Sequence, residues 1–185
     1  MSDELVDVLD STTFLPTGEV VRKSFARKNK LIHACVHLWI FNSKGEVLLQ
    51  HRSKEKKLFP SMWDISVAGG INSGEKPKAA AIREAKEEIG ISINESKLKE
   101  EFTFVDTTDL GNHAGFSEIV HVFLYKCNLP VSSFVLQESE VDDVKYFSQI
   151  ELKEIMESKP KDHLICSNDY FTRILDLVNS RTIKN

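Results

Sequence analysis

Apolar residues alternate with polar or aromatic ones along residues 32–41 (IHACVHLWIF), and a second apolar run, EVLLQHRS, follows the break NSKG. A period of two is typical of strands and a short polar break is typical of a turn, so the two runs predict adjacent antiparallel strands. Further strands are predicted at ISVAGG, EEFTFVDTTD and SEIVHVFLYKCNL, with the loop LGNHAG between the last two.

Helical patterns interrupt these strands. Residues 77–89 predict a helix because Pro77 suits a first turn, alanine is a strong helix former, and Gly90 suits the position after the last turn. KYFSQIELKEIMES predicts a strand end followed by a helix, and SNDYFTRILDLVNSRT predicts a helix capped by Ser167 or Asn168. Strands with few helices predict an α+β fold, a mixed β-sheet sandwiched between α-helices.

The chain has 185 residues, which predicts a single domain. Within it we expect an N-terminal hairpin appendage over residues 1–30, a core over 31–158 and a C-terminal helix over 159–185. Pro16 and Gly18 mark the turn of the hairpin. The segment KEKKLFPSMWD predicts an ordered loop anchored by Phe59 and Trp63. The hairpin and the last helix are candidates for a homodimer contact.

Charge and cysteine usage narrow the function classes. The net charge is -4, without the broad basic field that binds double-stranded DNA. The chain has neither an apolar run of membrane-spanning length nor a basic start followed by an apolar stretch, so we expect a cytoplasmic protein without a membrane partner. Three isolated cysteines, Cys35, Cys127 and Cys166, predict buried thiols.

The helix at 77–89 gathers Glu84, Glu87 and Glu88 into one narrow sector, although like charges at this spacing repel one another. A solvated acidic face is the ordinary interpretation of such a helix. Carboxylates beside a glycine-rich strand end are also what Mg²⁺ prefers, since it takes oxygen ligands from a few carboxylates and from substrate phosphate. Arg83, one turn before Glu87, can orient a carboxylate.

These residues resemble the Nudix box, Gx5Ex7REUxEExGU. Every fixed position of the motif matches: Gly69, Glu75, Arg83, Glu84, Glu87, Glu88 and Gly90. The one departure is Ala85, where the family prefers a larger aliphatic residue. The resemblance implies the Nudix fold and hydrolysis of a small diphosphate linked to another group, with Mg²⁺ or Mn²⁺ as cofactor.

By position, the resemblance implies roles for particular residues. Glu84, Glu87 and Glu88 match the metal-binding carboxylates, with the backbone carbonyl of Ala68 as a further ligand. Glu84, Glu87, Arg83 and Glu118 are the catalytic candidates, and Glu75 is a supporting charge. Arg52 and Lys57, with Lys54 and Lys56 nearby, are candidates for binding the substrate phosphates. The acidic pair Glu138 and Glu140 suits a catalytic loop and an ordinary acidic turn equally well, and His113 is a possible substrate contact.

The stretch LLQHRSKEKKLFPSMWDISVAGG also resembles isopentenyl diphosphate isomerase, a Nudix-fold enzyme that moves a double bond. That enzyme uses a cysteine shortly after the tryptophan and a metal-binding histidine two residues later. Here Ala68 and Gly70 stand at those places. Because neither residue can transfer a proton or bind a metal through its side chain, hydrolysis is expected. A regulatory module that binds diphosphates without turnover is the non-enzyme alternative.

Overall fold

The computed structural model describes residues 3–111, 114–158, 160–163 and 167–183. The strands are β1 (Leu5–Leu9), β2 (Pro16–Arg22), β3 (His33–Phe41), β4 (Val47–Arg52), β5 (Trp63–Asp64), β6 (Val67–Gly70), β7 (Lys99–Gly111), β8 (Ala114–Lys126) and β9 (Val141–Phe147). The helices are α1 (Lys23–Lys28), α2 (Pro77–Ile89), α3 (Gln149–Ser158) and α4 (Asn168–Thr182).

The central sheet is mixed. Its strands follow the order β5-β4-β3-β8-β7, while β6 pairs with β3 and β9 pairs with β4. Strands β3 and β8 run parallel, and the other pairs are antiparallel. Because successive side chains of a strand point to opposite faces, β3 presents Val36, Leu38 and Ile40 to one side and Cys35 and Trp39 to the other.

Helices cover both faces of this sheet. Helix α2 packs its small residues Ala81 and Ala85 into one buried cluster, together with Leu38 of β3. Helix α4 packs Phe171 and Ile174 into the opposite cluster. The expected sandwich of a mixed sheet between helices, an α+β fold, is therefore confirmed.

The N-terminal hairpin of β1 and β2 is bound to the core. The backbone N–H of Leu9 donates to the carbonyl of Ile32 at 2.8 Å, and the N–H of Ser73 donates to the carbonyl of Leu5 at 2.8 Å. The carboxylate of Asp7 accepts hydrogen bonds from the Ser73 hydroxyl and from the N–H of Gly74. These contacts place the hairpin against the loop that precedes α2.

Several sequence predictions can be compared directly with the elements. Helix α2 spans 77–89 as predicted, and Gly90 follows it with a left-handed φ of 71°. Ser167 caps α4, because its hydroxyl accepts from the N–H of Tyr170. Helix α1 was not predicted, and β7 and β8 extend into the segment expected to be a longer loop. Cys35 and Cys127 are buried as expected, whereas Cys166 lies outside the described residues.

The division into one domain with an appendage stays a prediction. None of the described helices has the length and apolar character needed to cross a membrane.

Candidate metal and substrate site

The candidate site lies where α2 passes the end of β6. The alanine stripe of α2 faces the sheet, and Glu84 and Glu88 border it, so both carboxylates are drawn inward. Each residue is only 5% exposed. The side chain of Glu87 points outward and is 52% exposed. The structure therefore brings Glu84 and Glu88 together and leaves Glu87 at the rim.

Gly69 permits the close approach of α2 to β6. A Cβ atom at position 69 would lie 2.0 Å from Cδ of Glu84, which is far inside van der Waals contact. Only a residue without a side chain therefore leaves the Glu84 carboxylate where it is.

Arg83 holds the carboxylates of the box in place. Its Nε and Nη2 donate to the two oxygens of Glu75 at 3.0 and 2.8 Å. Its Nη1 donates to Glu84 at 2.8 Å and to Glu87 at 3.2 Å, and Nη2 also donates to the carbonyl of Gly70 at 3.0 Å. The planar guanidinium can make these bonds simultaneously, so it ties the loop, β6 and the helix together.

The two buried carboxylates carry an electrostatic penalty. Burial raises the pKa of Glu84. Burial and then the neighbouring charge of Glu84 raise the pKa of Glu88 to about 8, even though Gln50 Nε2 donates to Glu88 at 3.1 Å. A divalent cation between them would remove this penalty.

The donor set fits Mg²⁺, which is commonly bound by one or two carboxylates while substrate phosphate and water complete the shell. Over the described ranges, no three His, Cys, Asp or Glu side chains converge closely enough to enclose a cation by themselves. The protein would thus supply two buried carboxylates and nearby backbone carbonyls as metal ligands, and phosphate and water would supply the others.

The raised pKa of Glu88 predicts a pH dependence of stability. Its folded-state pKa of about 8 lies above the ordinary value of 4.5, so its contribution is present at low pH and is lost as pH rises through 8. We expect the thermal unfolding midpoint of the metal-free protein to fall between pH 5 and pH 8 for this reason.

Differential scanning fluorimetry in the presence of a chelator measures this dependence. Glu88→Gln should flatten the pH profile, and Mg²⁺ should raise the midpoint most at the alkaline end, where the carboxylate is ionised. An equal pH slope in Glu88→Gln and the unsubstituted protein would contradict the assignment of the shift to Glu88.

Glu140 is the residue of the acidic loop that lies nearest the box. It is 7% exposed, forms an ion pair with Lys56, and its charge contributes to raising the pKa of Glu88. Glu138 is exposed at the surface. The sequence pattern did not distinguish the two glutamates. In the structure only Glu140 is buried, close enough for its charge to act on Glu88.

The N-terminal hairpin contributes charges that the sequence did not indicate. Lys23 Nζ lies 2.7 Å from the Glu4 carboxylate. This ion pair fills the space in front of Gly70, since a Cβ there would lie 2.8 Å from Lys23 Nζ and 2.9 Å from Glu4 Oε2. Both charges also act on Glu84. Neither residue belongs to a spaced motif, so only the fold reveals their position.

Glu118 lies on β8, opposite His33 of β3. Its carboxylate is 3.1 Å from His33 Nε2 and 3.2 Å from Arg27 Nη2. Burial acts to raise the pKa of Glu118, but the close contact with His33 and the charge of Arg27 outweigh it and hold the pKa well below its usual range. A carboxylate held ionised in this way is suited to binding cations. Its predicted catalytic role stays a prediction.

The guanidinium of Arg52, a candidate for binding the substrate phosphates, is hydrogen-bonded to the loop that follows β4 and to Asp64 of β5. Its Nε donates to the carbonyl of Phe59, its Nη2 to the carbonyl of Leu58, and its Nη1 to Asp64, each at 3.0 Å. Lys57 is exposed to solvent. Their predicted phosphate contacts stay predictions, and the geometry favours a structural role for Arg52. His113 lies outside the described residues.

These contacts give a prediction for Arg52→Ala. Losing charge-assisted hydrogen bonds to a half-buried loop should lower the free energy of unfolding by about 2–3 kcal/mol. Urea denaturation followed by fluorescence measures the change. A role confined to phosphate binding would instead raise KM and leave the unfolding free energy as it was.

Comparison with known proteins agrees with this geometry. The sequence profile of the NUDIX domain matches residues 31–167. The chain belongs to the Nudix family. An uncharacterised Nudix hydrolase of Listeria innocua is 34% identical over 169 residues, which cover 89% of this chain and 92% of that protein. The family assignment makes the chain a diphosphate hydrolase by class, and divalent cations are the general cofactors of the family.

Two further comparisons concern the similarity of the chain to Nudix-fold isomerases and its fold. Isopentenyl-diphosphate Delta-isomerase of Shigella boydii is 29% identical to this Nudix chain, and the match covers 71% of the chain and 70% of the isomerase. The crystal structure of DR0079 from Deinococcus radiodurans superposes with a TM-score of 0.70 at 20% identity, covering 96% and 98% of the two chains. At that identity, the superposition supports the fold alone.

Proposed function

We propose that this Nudix protein is a Mg²⁺-dependent hydrolase that cleaves the diphosphate bond of a small organic diphosphate, with nucleoside-diphosphate-linked compounds as the leading substrate class. The observation that carries the proposal is the pair of buried carboxylates, Glu84 and Glu88, at the glycine-rich end of β6. Two inward carboxylates with raised pKa values stabilise a bound cation and are otherwise costly to bury.

The candidate metal ligands are Glu84, Glu88, the rim residue Glu87 and the backbone carbonyl of Ala68. Mg²⁺ bound there would withdraw charge from the phosphate oxygens and acidify a bound water. Mn²⁺ has similar ligand preferences and is the alternative cation.

The protein's own side chains prepare this reaction. Arg83 donates to the Glu84 carboxylate and to the Gly70 carbonyl, so it holds Glu84 against β6 before substrate arrives. The attacking water needs a proton acceptor close to the carboxylate pair. Glu140, which is buried and whose charge acts on Glu88, is our first candidate, while Glu118, held ionised by Arg27 and His33, is the second.

Isomerisation is the competing reaction, since the chain resembles an isomerase at 29% identity. The methyl group of Ala68 has no acidic proton to transfer, and the place of a side chain at Gly70 is taken by the ion pair of Lys23 and Glu4. Cys35 lies opposite Gly70 in the strand pair, but burial raises the pKa of its thiol, which disfavours the reactive thiolate. Hydrolysis therefore fits these residues better.

A substrate panel tests the proposal. Purified protein is incubated with Mg²⁺ and nucleoside diphosphates, nucleotide sugars or isopentenyl diphosphate, and products are followed by ³¹P NMR. We expect release of phosphate or of a monophosphate, lost when Glu87→Gln and Glu88→Gln are combined. Turnover that survives the double variant contradicts the site, and a shifted double bond in isopentenyl diphosphate supports the isomerase. Tight binding without turnover supports a regulatory module.

A further inference from the structure

An ion pair outside the Nudix box lies beside the candidate site. Lys56 belongs to the loop of residues 53–62 that follows β4, Glu140 belongs to the turn before β9, and the ammonium of Lys56 contacts the carboxylate of Glu140. Val141, the next residue, packs into the same buried cluster as Ala85 of α2. The turn with Glu140 therefore lies on the sheet face that α2 covers, which is also the face of the buried carboxylates.

Both charges of this pair act on Glu88. Burial and the charge of Glu84 have the largest effects on the pKa of Glu88, after which Lys56 lowers it and Glu140 raises it. Interactions between charges weaken with distance, so the pair lies close enough to Glu88 to affect a ligand bound there. The long stem of a lysine can carry its ammonium from Glu140 towards a phosphate at that place.

The backbone fixes Glu140 more firmly than the loop fixes the end of Lys56. The N–H of Glu140 donates to the carbonyl of Gln137 at 2.7 Å, and the N–H of Gln137 donates to the carbonyl of Glu88 at 3.0 Å. The N–H of Ser53 donates to the carbonyl of Glu140 at 2.9 Å. The side chain of Lys56 is 25% exposed, against 8% for Glu140, and it has a flexible four-carbon stem. Lys56 is therefore the member of the pair that can move.

Lys56 differs from the other lysines of its loop. The side chains of Lys54 and Lys57 are exposed, whereas Lys56 is half-buried and contacts Glu140. An ammonium in this place occupies an oxygen of the carboxylate that a water molecule would otherwise approach. The ion pair therefore separates water from the residue that is our first candidate for accepting its proton.

We propose that the ion pair of Lys56 and Glu140 is an autoinhibitory contact that the substrate opens. A phosphate of the bound diphosphate draws the ammonium of Lys56 away from Glu140, because phosphate oxygens are strong acceptors for a charged donor. The oxygen of a water molecule then bonds to phosphorus, the bridging P–O bond breaks with its electron pair going to the departing group, and one proton of that water passes to Glu140. The inference rests on the proposed function, which places the phosphates at Glu84 and Glu88.

Glu140 and the phosphates thus compete for one ammonium. The free protein must break the ion pair before Lys56 can bind a phosphate, and this cost weakens the binding of a diphosphate. Removing the charge of Glu140 abolishes the competition, so Glu140→Gln should bind a diphosphate more tightly and hydrolyse it more slowly. Opposite effects on binding and turnover are not expected of a residue that only supports the fold.

Calorimetry with Mg²⁺ and methylenediphosphonate, a hydrolysis-resistant diphosphate, measures this competition. We expect Glu140→Gln to tighten binding about fivefold and Lys56→Gln to weaken it about tenfold, as one charge-assisted hydrogen bond is gained or lost. In the double variant, Glu140→Gln should add no tightening, because the lysine that it releases is absent. Glu138→Gln, which changes an exposed glutamate of the same turn, is the matched control and should leave the affinity within about twofold.

Acetylation of lysines followed by mass spectrometry gives a second readout on the same proteins. Lys56 of the unsubstituted protein should react more slowly than the exposed Lys57, both with and without the ligand, because its ammonium is paired in both states. In Glu140→Gln without ligand, Lys56 should react severalfold faster, and Mg²⁺ with methylenediphosphonate should slow it again. The thermal midpoint of each variant verifies that it folds.

The outcomes separate this inference from the proposed function. Tightening by Glu140→Gln that persists in the double variant reflects lost charge repulsion alone and overturns the inference, as does unchanged or weaker binding. Hydrolysis of a natural diphosphate with an unchanged kcat in Glu140→Gln also overturns it and leaves the proposed function standing. The expected affinities without turnover of any natural diphosphate support the competition for Lys56 and contradict hydrolysis.

Discussion

Glu84→Gln is expected to lower kcat/KM for diphosphate hydrolysis about 10²–10³-fold, the size of a lost metal contact worth several kcal/mol of transition-state stabilisation. Glu84 is buried, is fixed by Arg83, and lies against Gly69. Glutamine has nearly the same shape but carries no charge to hold a cation. Steady-state kinetics at several Mg²⁺ concentrations should show a weaker apparent affinity for Mg²⁺ as well.

Glu154→Gln on α3 is the matched control, because Glu154 is an exposed glutamate in a helix away from β6. It should retain kcat/KM within about twofold, as surface substitutions usually change stability little. The proposed site is contradicted if Glu84→Gln retains more than a tenth of the original activity with an unchanged dependence on Mg²⁺.

Gly69→Ala is expected to have the next largest effect, about a 10²-fold fall in kcat/KM. The added Cβ would lie 2.0 Å from Glu84 Cδ, so the carboxylate must leave its position between Arg83 and β6. A displacement of about 1 Å at a catalytic group can cost this much, because the reacting atoms no longer align. Kinetics and a thermal unfolding curve on the same sample separate lost activity from lost folding.

Gly70→Ala provides the comparison at the next residue. Its added Cβ would meet the ends of Lys23 and Glu4, flexible side chains that can move aside at little cost. We expect a fall of less than about tenfold, well below that of Gly69→Ala. A larger loss at Gly70 than at Gly69 would show that the ion pair of the hairpin, rather than Glu84, limits the reaction.

The parts of the structure that the sequence predicted are those fixed by local spacing. Pro77, the alanines and Gly90 predict helix α2. The fixed spacing of the Nudix box predicts that Arg83 lies next to the glutamates, and Arg83 donates to Glu84 in the structure. A period of about 3.6 residues sets which side chains share a helix face, so Glu84 and Glu88 could be grouped without knowledge of the tertiary fold.

Contacts between distant segments could not be predicted in the same way. Lys23 and Glu4 reach Gly70 because the hairpin folds back on the loop before α2, and no pattern within the hairpin specifies where it docks. Arg52 illustrates the opposite case. Its position before a basic loop suggested phosphate binding. In the structure its guanidinium instead donates hydrogen bonds to the backbone carbonyls of Phe59 and Leu58 in that loop.

The contacts of His37 also could not be predicted without the tertiary structure. His37 is one of several strand histidines in the sequence, and nothing in its spacing separates it from His33 or His121. The sheet register places it opposite Ala68, while α4 brings Tyr170 to its Nδ1. Contacts between side chains on separate elements become visible only after the elements have been packed together.

Hydrolysis in water enriched in ¹⁸O tests the central claim most directly. The original protein is incubated with Mg²⁺ and the nucleoside diphosphate that it binds most tightly, and the masses of the products are measured by mass spectrometry. The proposed reaction predicts one ¹⁸O atom in a phosphate product for each bond cleaved, with the label absent when Glu84→Gln is used. Recovery of the diphosphate intact and unlabelled, or label only on a carbon-bound hydroxyl oxygen and not on phosphorus, would contradict attack of water on phosphorus at this site.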